Sequence, residues 1–141
     1  MEDTENPWPK SRLRGTKAEG KRFERLVALR LRTLFPQNEV QHNPWYRYGD
    51  ELGDGLASPD VIVIAPEWLL LCECKRTFRP EAFEKLTRFY LPLVVARWPG
   101  RYYGMIQFCA NLSPCARGIS LTDPASVLAN RPASPQLVFW P

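Results

Sequence analysis

The sequence predicts an α/β domain whose elements run helix, strand, strand, strand, helix, strand. Three observations carry this prediction. Residues 17–35 repeat apolar side chains at helical spacing. Two runs of strand formers, Val61-Ile62-Val63-Ile64 and Trp68-Leu69-Leu70-Leu71-Cys72, flank a tight turn at Pro66 and Glu67. Residues 101–110 alternate loosely and read as a central strand covered on both faces. The chain has 141 residues, enough for one domain around one buried core. Residues 1–16 read as an irregular basic arm, and 17–141 as the single domain.

Taken in order, the arm holds Pro7, Trp8, Pro9 and several cations, and is expected to be irregular and disordered at its start. The first helix spans 17–35 and is stopped by Pro36. Phe23, Val27, Leu31 and Leu34 form its buried stripe. Glu24 borders that stripe, where a carboxylate needs a reason. Lys21, Arg25 and Arg32 share another face and make a strip suited to phosphate. Residues 39–41 form a short strand, and Trp45, Tyr46 and Tyr48 can continue strand to 48. Each ring taken singly is expected to pack the sheet; together they could stack on exposed bases, with Arg47 on phosphate. Residues 49–58 read as a flexible loop directly upstream of Asp60.

Side chains alternate across a strand, so Glu73 and Lys75 share one face while Cys72 and Cys74 share the other. A hairpin turning at Pro66 brings Asp60 beside Glu73 and Lys75. Arg76 and Arg79 follow, placed to meet a bound phosphate, and Pro80 opens a second helix. Phe83, Leu86, Tyr90 and Leu93 or Val94 give that helix its buried face, and Pro92 kinks it or starts a new segment. Residues 111–118 form a loop. Thr122 or Asp123 caps a short helix with Pro124 in its first turn, running to about 130. Residues 136–140 form a final strand, apolar enough to dock on the core or join a dimer interface.

Composition narrows the classes. Hydrophobic residues make up 45% and charged residues 24%, as in ordinary globular domains. No apolar run approaches the ~20 residues of a membrane span. The polar, Pro-rich start is unlike a signal peptide, so an intracellular, non-secreted protein is expected. Net charge is +4, unevenly spread: residues 10–32 carry nine Lys and Arg against Glu19 and Glu24, whereas residues 36–60 carry Arg47 against five acids. A basic segment facing an acidic loop fits a polyanion surface beside a metal site. Cys72, Cys74, Cys109 and Cys115 match no common zinc spacing and the sole histidine is His42, so reduced, partly buried thiols are expected.

Two converging carboxylates, Asp60 and Glu73, repel each other, and a hard cation such as Mg²⁺ or Mn²⁺ relieves the repulsion. A lysine beside a metal-bound water, here Lys75, can orient that water or take its proton. This trio suits metal-assisted hydrolysis of a phosphodiester.

The pattern Pro59-Asp60 followed by Glu73-Cys74-Lys75 resembles the PD-(D/E)XK nuclease superfamily. The resemblance implies a restriction-endonuclease-like core, a central mixed β-sheet flanked by helices (αβββαβ), over about 17–110, with 111–141 as a C-terminal extension. It implies that Asp60, Glu73 and the Cys74 backbone carbonyl hold Mg²⁺, with Mn²⁺ able to substitute, and that Lys75 acts on the attacking water. The segment from Gly20 through Glu24-Arg25-Leu26-Val27 resembles the first helix of archaeal-type Holliday junction resolvases. There the helix Glu completes the metal site, directly or through water, and the next basic residue contacts DNA; Glu24 and Arg25 match those positions. Ser58 loosely matches a small residue that contributes to cleavage near that loop. By this resemblance the substrate is branched DNA, the chain works as a homodimer, no small-molecule cofactor is needed, and the protein is DNA-associated in cytoplasm or nucleoid. Lys21, Arg25, Arg32, Arg47, Ser58, Arg76 and Arg79 are its expected DNA contacts. The acidic residues 50–54 and the tail after Ala110 depart from the family pattern. RecB-like exonucleases usually carry a Gln in the helix after the active strand, which 84–90 lacks. The alternatives are another small endonuclease of this superfamily, of restriction or VRR type, and an inactive DNA-binding module.

Overall fold

The computed structural model describes residues 1–7, 15–50 and 53–141. Arm residues 8–14, with Lys10, Arg12 and Arg14, and loop residues Glu51 and Leu52 lie outside the described residues. Helix α1 (Thr16–Leu34) is followed by β2 (Glu39–His42), β5 (Val61–Ile64) and β6 (Trp68–Lys75). A helical stretch of α2 (Pro80–Glu84), a π turn (Lys85–Tyr90) and α3 (Leu91–Arg97) leads to β7 (Tyr102–Cys109). Strand β8 (Leu121–Thr122), helix α4 (Pro124–Asn130) and β9 (Gln136–Phe139) complete the chain.

These strands form one six-stranded mixed sheet in the order β2-β5-β6-β7-β9-β8. The pairs β2–β5 and β5–β6 are antiparallel; β6–β7, β7–β9 and β8–β9 are parallel. The alternation of strand side chains makes two cores. Val61, Val63, Leu70, Cys72, Ile106 and Phe108 pack on Val27, Ala28 and Leu31 of α1 and on Val127 of α4. Ile62, Leu69, Leu71 and Met105 pack on Leu86, Tyr90 and Val94 on the opposite face. The architecture is therefore α/β, a mixed sheet with helices on both faces. Among the described residues no helix is long and apolar enough to cross a membrane.

Three expectations need correction. The first residues are not irregular: Glu2–Thr4 form β1, which pairs with β3 (Trp45–Asp50). The described residues of the expected loop 49–58 are not all loop either, because β4 (Gly53–Ala57) pairs with β3 in a second, three-stranded sheet of order β1-β3-β4. Glycine there is a packing device, since any Cβ on Gly55 would fall on the Tyr48 ring. Leu34, finally, is exposed, and Ala28 takes the inner position on α1 because a helix against a sheet leaves room for a small residue.

The aromatics pack. Tyr46 is 1% exposed, donates its hydroxyl to Gln41 Oε1 and meets Trp98 edge-on at 5.8 Å. Tyr48 meets Phe89 likewise at 5.8 Å. Pro92 does begin a new segment: the Leu91 N–H reaches five residues back to the Leu86 carbonyl, closing the π turn before the residue that has no N–H to offer. Asp123 caps α4 through the Ser126 N–H at 2.9 Å, and Trp140 docks on the α1-side core under the Arg30 guanidinium.

Candidate active site

The site lies at the ends of β5 and β6 away from their turn. The Ala65 N–H bonds to the Trp68 carbonyl at 3.0 Å and closes that turn. The ladder then runs to Val61 opposite Cys72, so the next residue on each strand, Asp60 and Glu73, face each other. The Asp60 N–H donates to Glu73 Oε1 at 3.4 Å, and Asp60 Oδ2 accepts the Cys74 N–H at 2.7 Å. In an antiparallel ladder one residue's N–H and C=O leave the strand on the same side. The Cys74 carbonyl therefore points past the end of β5, toward Asp60.

Helix α1 supplies Glu24, 6% exposed, which shares a hydrogen bond with the Asp60 carboxyl and pairs with Lys21 Nζ at 3.1 Å. Its place on the inner edge of the stripe and its intrahelical ion pair hold together. Burial first, then the Glu24 charge, pushes the Asp60 carboxyl up to about 7. Burial and then Asp60 push Glu73 up to about 7 as well, while Lys85 and Lys75 pull it down. Burial and like charge thus oppose ionisation of both carboxyls, a cost that a nearby positive charge would relieve.

The corner that presents Asp60 is held on two further sides. Tyr90, 3% exposed, donates its hydroxyl to the Ser58 carbonyl at 3.0 Å. Burial and the Glu73 and Asp60 charges raise its phenol. The Asn43 N–H bonds to the Asp60 carbonyl at 2.7 Å, with Asn43 itself at φ 52°, and Asn43 Oδ1 accepts the Ser58 hydroxyl at 3.0 Å. Ser58 thus serves the corner rather than an open cleft.

A cleft of about 330 Å³ opens beside these groups, lined by Lys17, Gly20, Lys21, Glu24, Asp60, Cys74, Lys75 and Arg76. Of the expected DNA contacts it gathers Lys21 and Arg76; Arg76 also pairs with Glu19. Arg25 is exposed on α1, and Arg32 donates to the Val40 carbonyl at 3.4 Å, tying α1 to β2. Lys21, Arg32 and Arg25 lie close enough to His42 to add to the burial that lowers its imidazole. Arg47 is a correction: it stands opposite Glu2 in the three-stranded sheet and lines a different cleft, because β3 leaves the main sheet. Arg79 lines a neighbouring cleft described below.

Sequence reasoning missed Lys17, Tyr90, Lys85 and Gln107. Lys17 had a signal, one helical turn before Lys21. Gln107 had none, since its place beside Glu73 follows from the parallel register of β6 with β7. Cys72, Cys74 and Cys109 are buried free thiols.

No family model, curated protein or solved structure matches the chain.

Among the described residues no group of three or more His, Cys, Asp or Glu side chains is set to hold a metal ion. A full three-carboxylate cage from Glu24, Asp60 and Glu73 is thus not formed. The residues still fit a hard cation that keeps its waters: Mg²⁺ is commonly held by one or two carboxylates. Asp60 and Glu73 are the pair that could hold such an ion, with the Cys74 carbonyl as a further oxygen.

Proposed function

We propose that the chain is a Mg²⁺-dependent endodeoxyribonuclease with a restriction-endonuclease-like fold. The observation that carries this reading is the facing pair Asp60 and Glu73 at the ladder end, with Lys75 two residues on and Glu24 bonded to Asp60. Two buried acids, Glu24 and Glu73, kept against the half-buried Asp60 raise the free energy of the metal-free fold, which the Lys21 ion pair offsets only for Glu24. Asp60, Glu73 and the Cys74 carbonyl would hold the ion. Bound there, it would supply positive charge to the phosphate and acidify the attacking water.

The protein's own groups do the rest. Lys75 orients the attacking water through its ammonium group. Lys17, Lys21 and Arg76 draw the polyanion into the cleft and fix it against the carboxylates. In-line attack would leave a 5′-phosphate and a 3′-hydroxyl, as the resemblance to the PD-(D/E)XK superfamily implies. The same resemblance favours a four-way junction as substrate and a homodimer that nicks two strands symmetrically.

Incubation with labelled four-way junction, linear duplex and single-stranded DNA in Mg²⁺ tests the reading, beside Lys75→Ala and Glu73→Ala. Symmetric nicks in the junction are expected, reduced about a hundredfold or more in both variants. Cutting of every substrate would keep the nuclease and remove the junction preference. DNA held equally with and without Mg²⁺, and left intact, would replace the enzyme with a binding module.

A further inference from the structure

Lys75 forms part of two clefts, and only one of them is lined by Glu24 and Asp60. The second, of about 240 Å³, opens toward the helix that follows β6 and is lined by Lys75, Arg79, Glu81, Ala82 and Lys85. Three cations there face one acid. Neither Arg79 nor Lys85 forms an ion pair among the described residues, whereas Arg88 on the same helical stretch pairs with Glu84. Lys85 lies close enough to Glu73 to pull its carboxyl down, so the cleft adjoins the carboxylate pair electrostatically.

The backbone of Arg79 is held from the neighbouring strand. Gln107 is fully buried: its Oε1 accepts the Arg79 N–H at 2.7 Å and the Cys109 thiol at 3.6 Å, and its Nε2 donates to the Arg79 carbonyl at 2.8 Å. Gln107 stands beside Glu73 in the β6–β7 ladder. The backbone at residue 79 is thereby tied to the strand position beside Glu73, which sets where the Arg79 side chain starts, and the tie satisfies the buried Gln107 amide whatever side chain residue 79 carries.

We propose that this cleft binds the backbone phosphate next to the scissile one on the same DNA strand, with Arg79 and Lys85 as its contacts. The proposal rests on the nuclease reading and deepens it. The strand crosses over Lys75, with the scissile phosphodiester on the Asp60 side and the next phosphate on the Arg79 side. Phosphates on both sides of the cut are then gripped, so an internal bond is preferred to a terminal one.

The test has two arms. Fluorescence anisotropy follows the full chain binding labelled duplex and four-way junction in EDTA across a salt series, for wild type, Arg79→Ala/Lys85→Ala and the control Arg88→Ala. The double variant is expected to bind about tenfold more weakly and to lower the log–log salt slope by about 2, with the control unchanged. In Mg²⁺, substrates carry one neutral methylphosphonate next to the cut. That replacement is expected to raise KM about tenfold in wild type and to add nothing in the double variant. A double variant with wild-type affinity and slope, or an equal methylphosphonate penalty in both proteins, overturns the proposal. Binding lowered as expected without any cutting by wild type would leave the cleft in place and remove the nuclease. Normal cutting with an indifferent double variant would do the reverse, and a wild type that neither binds nor cuts would remove both.

Discussion

Asp60 and Glu73 are carboxyls that hold protons more tightly in the folded chain than in the unfolded one. Their ordinary values lie near about 4; burial and then the Glu24 charge carry Asp60 up to about 7, and burial and then the Asp60 charge carry Glu73 up to about 7. The sign of the linkage follows: the folded state binds more protons between those values, so stability falls as pH rises from about 4 through about 7. A divalent cation bound by the pair offsets the loss above pH 7 and has little to offset below pH 5. In EDTA the thermal midpoint is therefore expected to fall between pH 5 and pH 8, and to fall less in Asp60→Asn. Mg²⁺ should raise the midpoint at pH 8 by about 3 °C or more and hardly at all at pH 5. A cation response of equal size at both pH values would detach these acids from metal binding. This pair was legible in the sequence because strand alternation and a short turn fix which residues face each other. Glu24 was legible for a similar reason, as a carboxylate on the edge of a regular helical stripe.

At the scale of elements, local pattern decided most of the outcome. The strands β5, β6, β7 and β9 and the helices α1 and α4 stand where hydrophobic period and proline placed them. The hairpin β3–β4 was illegible, since Gly49, Gly53, Asp54 and Gly55 carry loop signals and their pairing depends on the Tyr48 ring and the far helix. Lys85 and Gln107 were illegible for a related reason: each reaches the site through packing across the sheet, which no local spacing encodes. One glycine in a central strand has the opposite character. A Cβ on Gly104 of β7 would lie 2.6 Å from Leu70 Cδ2 and 3.0 Å from Val127 Cγ1, inside the core between α4 and the sheet. Gly104→Ala is expected to lower unfolding stability by about 1–3 kcal/mol in urea, with DNA binding unchanged below the transition. Unaltered stability would mean that Leu70 and Val127 can yield, and that this core is looser than it looks.

For the whole molecule, the two sheets are joined by small, specific ties. Arg97 donates to the Met1 carbonyl at 3.1 Å and to Asp3 Oδ1 at 3.0 Å, fastening β1 beside β3. The ion pair is exposed and contributes little by itself. The ladder of β1 with β3 matters more, because it pairs the backbone groups of Trp45–Arg47 and leaves a strand of only three residues at that edge of the small sheet. The basic arm and the three-stranded sheet thus meet at the N-terminal strand. That the arm would begin in a strand was illegible in a segment of polar residues and prolines, since its partner lies some forty residues away in sequence.

The hairpin of β5 and β6 has its turn at one end and its carboxylates at the other. Pro66 and Glu67 are exposed, and the ladder between turn and site is buried on both faces. The chain can therefore be opened between Pro66 and Glu67 without disturbing the geometry at Asp60. Such a cut divides the site cleanly, leaving Glu24 and Asp60 on one fragment and Glu73, Lys75, Arg79 and Lys85 on the other. The protein is in this sense a two-piece assembly: neither half carries all the residues of the candidate site, and only reassembly of the central sheet brings them together.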